Sequence, residues 1–416
     1  TTATKAFQLK KLFYFNLTPM KFFTTLFILV SSYIFASPPN TWSKMSDYTG
    51  NPRTGASGFA IGNKGYITNG YDGANYKESL YRYDIGFDVW EKITDFPFMP
   101  RNQAISFTIG GKGYFGSGQG VVLYTSDFWE FDTTTLAWTQ KADIGGLPRK
   151  AACGVSLNGK GYVGFGVSST GLLKDWWEYD VTANTWTAKA NCTGNARKEA
   201  SAFAVNGNCY ITCGYTGSFS NDTWAYDPAT NTWSSKATFI GTPRYNASSF
   251  SIGNSGFVGL GYDNTLNYTQ DFYQYNSYTN TWMAVANFGG TAREGASSFV
   301  INNEAYVCLG YDNLYKYDVW KYTPDVTVGL NENTNNIITS IYPNPAKDFA
   351  TIRFNQIYKS ITIQLIDINV KEIKNETIFN SSETTINTSN LIEGTYFVNI
   401  INENKILATK KIIKIY

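Results

Sequence analysis

A tryptophan recurs at Trp42, Trp90, Trp138, Trp186, Trp233 and Trp282, at spacings of 48, 48, 48, 47 and 49 residues. An arginine keeps the same period, at Arg53, Arg101, Arg149, Arg197, Arg244 and Arg293, so whole units repeat and not one residue type. Such a chain must bury the same face of each unit against the next. Function then has to come from what near-identical units present together.

Each unit reads as four short strands. In the third, Arg149–Leu157 is followed by Asn158-Gly159-Lys160, Gly161–Gly166, a variable loop, Asp175–Asp180, a turn and the strand of Trp186. Asn158-Gly159, Asn206-Gly207 and Asn63-Lys64-Gly65 fit a tight first hairpin. Val181–Thr185 and Pro228–Thr232 fit the corner that feeds the outermost strand.

Three positions after each arginine stands an alanine, at Ala56, Ala104, Ala152, Ala200, Ala247 and Ala296, and two further on is another small residue. Short side chains are what an innermost strand needs where six strands crowd one axis. The neighbouring row Phe59, Phe107, Val155, Phe203, Phe250 and Phe299 packs between units. At about 25 cal/mol per Å² of apolar area, these rows and the tryptophans supply most of the stability.

Counting sets the closure. The sixth unit runs from Arg293 to about Asp325 and has Asp318–Tyr322 as its third strand, but no tryptophan follows. A spare tryptophan strand stands at Trp42, before the first arginine. The expectation is an all-β chain: a six-bladed β-propeller over residues 37–325, closed by its N-terminal strand, then a small antiparallel β-sandwich.

The repeat resembles the kelch family. The resemblance rests on Pro100-Arg101, Pro148-Arg149 and Pro243-Arg244, on Gly-Lys-Gly-Tyr at 111–114 and 159–162, and on Asp222-x-Trp-x-Tyr-Asp227 followed by Asn231-Thr-Trp233. The family's paired glycines are reduced to Asn69-Gly70, Cys213-Gly214 and Leu309-Gly310. The wider kelch class includes copper-radical oxidases and sialic acid mutarotases. The oxidases hold copper through histidine, and this chain has no histidine, so the resemblance implies no metal and no cofactor here.

Charge excludes one broad class of partner. Lys plus Arg total 34 against 32 Asp plus Glu, with no basic stripe, so no nucleic-acid partner is expected. The five cysteines show neither a disulfide framework nor zinc spacing and read as buried fillers. Met20-Lys21 followed by Phe22–Val30 and Ala36 reads as a signal peptide over 20–36, with 1–19 an upstream artefact. The alternative is a membrane anchor, but the apolar run is short and Ser31-Ser32 interrupt it. No transmembrane span is expected in the mature protein.

Residues 326–336 are polar and aperiodic and read as a linker. From 337 new strands are expected at Ala350–Phe354, Ile361–Asp367, Gly394–Ile400 and Ile406–Ile413. Residues 337–416 resemble the C-terminal sorting domain of the type IX secretion system, through Ile341–Asp348, Asn390–Tyr396 and Lys410–Lys414. That resemblance implies the secretion machinery as partner, export through the periplasm, and release or attachment at the cell surface. The alternative is a plain sandwich that binds something itself.

Two sets of residues are candidates for ligand binding. The six arginines form an anion site if they face the axis, or serve their own unit by pairing with a carboxylate or carbonyl at a strand start. The loops carrying Tyr71, Tyr76, Tyr124, Tyr215, Tyr262 and Tyr268 offer rings to a glycan or a surface protein. Glu199 and Glu294, close after Arg197 and Arg293, break the repeat. They suit either proton transfer in a mutarotase-like isomerase acting on an acidic sugar, or a rim salt bridge. The repeated Asp127, Asp175, Asp222, Asp271 and Asp318 are expected to cap turns. A non-catalytic binding module outside the cell is the reading carried forward.

Overall fold

The computed structural model describes residues 40–324, 338–367, 372–402 and 405–415. The expected signal peptide, upstream segment and linker lie outside them. Each repeat unit forms a four-stranded antiparallel sheet, six of them among the described residues, in a β-propeller-like architecture. In the third the strands are Cys153–Leu157, Lys160–Gly164, Trp176–Asp180 and Thr185–Lys189, paired in chain order. The sixth contains Ser297–Ile301, Glu304–Cys308 and Val319–Thr323, and its fourth strand is Thr41–Met45 from the other end of the chain. Trp42 stands opposite Tyr322 and Met45 opposite Val319.

The hairpin corners follow from residues that tolerate positive φ. Asn158 and Gly159 sit at 51° and 74°, Asn206 and Gly207 at 48° and 76°. In the first unit the corner lies earlier than expected: Gly62 takes φ 58°, while Lys64 and Gly65 already belong to the second strand.

The inner strands neighbour one another in a closed cycle, the sixth against the first. An innermost strand leaves backbone groups unpaired on one edge. The small-residue stripe satisfies them with hydroxyls: Ser106 Oγ donates to Gly58 O at 2.8 Å, Ser298 to Ser249 O at 2.9 Å, and Ser297 to Ala56 O at 2.7 Å. The aromatic row fits glycines on the next sheet. A Cβ on Gly113 would stand 2.3 Å from Phe59, one on Gly256 2.2 Å from Phe203, and one on Gly65 2.3 Å from Phe299. That steric demand accounts for the second glycine of Gly-Lys-Gly-Tyr.

The outer strands are stapled through a recurring Asn-x-Trp. Trp233 Nε1 donates to Ala190 O at 2.8 Å, while Asn231 Oδ1 accepts the Ala190 N–H at 2.9 Å and the Tyr226 hydroxyl at 2.9 Å. Asn184 with Trp186, Asn280 with Trp282 and Asn40 with Trp42 repeat it. In the second unit Leu136 replaces the asparagine at φ 56°, and Trp138 Nε1 is buried without a partner.

The C-terminal strands are Ile338–Tyr342, Phe349–Asp367, Glu372–Asn387, Gly394–Asn402 and Lys405–Lys414. They form one five-stranded sheet in the stretch where the sequence suggested a small antiparallel sandwich. The two strands expected at 350–354 and 361–367 are halves of a single 19-residue strand. A register shift between Arg353 and Tyr358 interrupts its pairing. Ile352, Phe354, Ile363 and Leu365 from both halves then share one core with Val398, Ile400 and Ile412.

Candidate functional site

The six arginines are at most 1 % exposed, and none lines the cavities on the axis. In five units the guanidinium grips the aspartate at the start of the third strand with both Nη atoms. The distances are 2.6 and 2.6 Å from Arg149 to Asp175, and 2.6 and 2.8 Å from Arg197 to Asp222. Arg101–Asp127, Arg244–Asp271 and Arg293–Asp318 repeat the fork. The expectation that these aspartates cap turns is therefore corrected. Turn capping falls instead to Asp84, Asp132, Asp180 and Asp227 at the end of the third strand.

Each arginine also bonds the carbonyl 16 residues on: Asn69, Ser117, Phe165, Cys213, Leu260 and Leu309. Those six are the positions of the reduced glycine pair, and all keep φ between 56° and 65°. A left-handed Leu or Phe costs roughly 1–2 kcal/mol, and the arginine helps hold it. In the first unit Ser79 takes the aspartate's place, so Arg53 has a hydroxyl at 3.1 Å where the others have a carboxylate. Burial lowers the Arg53 pKa.

Sequestering the arginines leaves the axis to the two residues after each of them. Those two positions after are Gly55, Gln103, Ala151, Glu199, Asn246 and Gly295, all at φ 53–61°. Their backbones close a ring: each N–H donates to the carbonyl of the preceding unit at 2.9–3.1 Å, and Gly55 donates to Gly295. Above the ring lies a pit of ≈ 250 Å³. Its wall comes from the position directly after the arginine, through Thr54, Asn102, Lys198, Tyr245 and Glu294, with Tyr311 and Tyr315 from a loop. Below it a channel of ≈ 430 Å³ runs between the inner strands.

Two carboxylates face this pit. Glu199 Oε1 accepts from Gln103 Nε2 at 2.8 Å, and its Oε2 lies 3.4 Å from Lys198 Nζ. Glu294 Oε2 accepts from Asn246 Nδ2 at 3.2 Å, and no cation bridges it among the described residues. Burial raises the Glu294 pKa above its ordinary 4.5; Asn246 opposes the rise and the charge of Glu199 adds to it. Lys198 lies over the Tyr215 ring at 5.6 Å and Lys150 over Tyr124 at 5.4 Å.

The loop tyrosines make a continuous arc around the mouth. Tyr76 touches Tyr71 (ring centres 5.1 Å apart), Tyr71 touches Tyr315 (6.3 Å), Tyr315 touches Tyr311 (4.9 Å) and Tyr311 touches Tyr268 (6.2 Å). Tyr268 continues to Tyr262 (5.3 Å), Tyr262 to Tyr245 (5.8 Å), and Tyr245 to Phe219 (5.2 Å) and Tyr215 (6.3 Å). Four consecutive units contribute an aromatic pair each, bridged as Tyr71–Tyr76, Tyr215–Phe219, Tyr262–Tyr268 and Tyr311–Tyr315. The other two units place Gln119 with Tyr124, and Val167 with Leu172, at those positions. Tyr124 thus stands apart from the arc, beside exposed Val121, Val122 and Leu123. Sequence reasoning missed Tyr245, Phe219, Tyr311 and Tyr315. For the last three the signal was a Gly-Tyr pair, at 70–71, 214–215, 261–262 and 310–311, with a second ring four to six residues on; Tyr245 lies outside that pattern.

Residues 340–415 match the secretion system C-terminal sorting domain, and residues 196–239, the fourth unit, match the kelch motif. The chain thus carries a type IX sorting domain and a kelch-type repeat, and is exported through the periplasm to the cell surface. No curated protein matches it. A solved structure titled "Structure of YjhT" is similar at 16% identity and a TM-score of 0.56, covering 65% of this chain and 94% of that one. At that identity the likeness speaks for the fold alone. No helix among the described residues is long and apolar enough to cross a membrane.

Proposed function

We propose that residues 37–325 form a six-bladed propeller that binds carbohydrate without turnover, displayed or released outside the cell by a sorting domain over 337–416. The six sheets, the cyclic order of their inner strands and the backbone ring support the closed six-fold reading. The observation that carries the binding reading is the arc of rings on the variable loops of four consecutive units. Aromatic faces held by a rigid scaffold stack on sugar rings at small entropic cost, and the polar pit beside them accepts hydroxyl groups.

A glycan array probed with the purified protein tests this. Tyr245→Ala and Tyr311→Ala should each weaken binding about tenfold, as loss of one aromatic contact near 1.4 kcal/mol implies. Undiminished binding in both variants would remove the arc from the account; protein ligands captured through the arc in place of glycans would redirect it.

One observation favours an isomerase of an acidic sugar: Glu294, with its raised pKa, stands beside Glu199 in the pit. That reading also needs arginines to hold the anion, and all six are engaged elsewhere. Anomer interconversion followed by NMR, accelerated by the protein and abolished in Glu294→Gln, would establish it over binding.

A further inference from the structure

We propose that the pit receives a protonated amine, so that the preferred ligand is a glycan bearing an unacetylated amino sugar and not an acidic one. This rests on the glycan-binding reading and gives it a sign of charge.

The argument starts from which charges are already answered. The arginines that would have drawn an anion are buried in their own sheets, five of them on aspartates. Lys198 is held between Glu199 and the Tyr215 ring, and Lys150 by Gln119 and the Tyr124 ring. Glu294, in the same pit, accepts a hydrogen bond from the Asn246 amide and feels Lys198 only through its charge. A carboxylate partly withdrawn from water, with one amide as its hydrogen-bond partner among the described residues, has unused acceptor capacity directed at a cavity. Tyr245, Tyr311 and Tyr315 share that pit, and an ammonium between ring faces and a carboxylate is stabilised by both. The pit's ≈ 250 Å³ has room for one sugar residue, and its rim is the arc on which the following residues would lie. A carboxylated sugar would instead meet Glu294 at close range and be repelled.

Isothermal titration of the purified protein with three hexamers separates the claims: glucosamine, N-acetylglucosamine and galacturonate. The glucosamine hexamer should bind at least tenfold more tightly than either of the others at pH 7. Glu294→Gln should erase that preference, lowering affinity for the glucosamine hexamer about tenfold. The groups facing Glu294 are Glu199, Lys198, Tyr245 and Tyr268. Burial raises the Glu294 pKa, so the preference should fade as the pH drops through a value above 4.5. Equal affinities, a preference for galacturonate, or a preference that survives Glu294→Gln would overturn the amine assignment. Hexalysine bound as tightly and with the same dependence on Glu294 would overturn the sugar assignment. If the N-acetylated hexamer binds through Tyr245 and Tyr311 but amines gain nothing, only the present proposal falls. If no hexamer binds, the amino-sugar claim falls here, and the array decides the glycan reading separately.

Discussion

Asp222→Ala should destabilise the protein by about 3–5 kcal/mol, because it leaves the Arg197 guanidinium buried with its charge unanswered. Burial alone would raise the Asp222 carboxyl; the two bonds and the charge from Arg197 outweigh it and hold the pKa at about 2. The sign of the pH dependence follows. A carboxyl depressed below its unfolded value stabilises fully above that value, 3.8, and loses the contribution as pH falls through about 2. Asp127, Asp271 and Asp318 are lowered by the same pairing, so acid unfolding of the wild type should set in below pH 4. Denaturant titrations at pH 7 and pH 2.5 check both points: the cost of Asp222→Ala should be large at pH 7 and smaller at pH 2.5. A cost below 1 kcal/mol at pH 7 would mean that water reaches the guanidinium.

Trp42→Ala is the second large effect expected, at about 3–5 kcal/mol. The indole packs against Phe272, Phe288 and Tyr322 at ring-centre distances of 4.9–5.1 Å and donates to Ala286 O. Its loss loosens Thr41–Met45, the strand that joins the two ends of the repeat region. Hydrogen exchange in the variant should rise first in Val319–Thr323, the strand it pairs with. Uniformly increased exchange across all six sheets would argue instead that the ring unfolds as one unit.

Much of this was legible in the sequence because the period is strict. The unmatched Trp42 and the missing tryptophan after Tyr322 were enough to place the first strand in the last sheet. The alanine and serine stripe identified the inner strands, since only short side chains fit there. What the period could not show was pairing at a distance. Arg197 and Asp222 are 25 residues apart, and nothing local distinguishes an aspartate that grips an arginine from one that caps a turn. The same holds for the mouth. Tyr71 and Tyr262 were visible as loop tyrosines, but that Tyr315 joins Tyr71 to Tyr311 follows only once the sixth sheet lies beside the first. Glu294 drew notice as a neighbour of Arg293. In the fold the two side chains part, the arginine into its sheet and the glutamate to the pit. In the sorting domain, the register shift between the two halves of the 19-residue strand lies in its pairing with Glu372–Asn387, a polar strand with no clear alternation to announce it.

The binding face is the central claim, and a hydrogen-exchange footprint tests it most directly. With the tightest array glycan at saturation, protection should appear at residues 71–76, 215–219, 262–268 and 311–315, the loops of the aromatic arc. The opposite hairpin corners, at 158–159 and 206–207, should be unchanged. Protection confined to those corners, or to the sorting domain, would contradict the account.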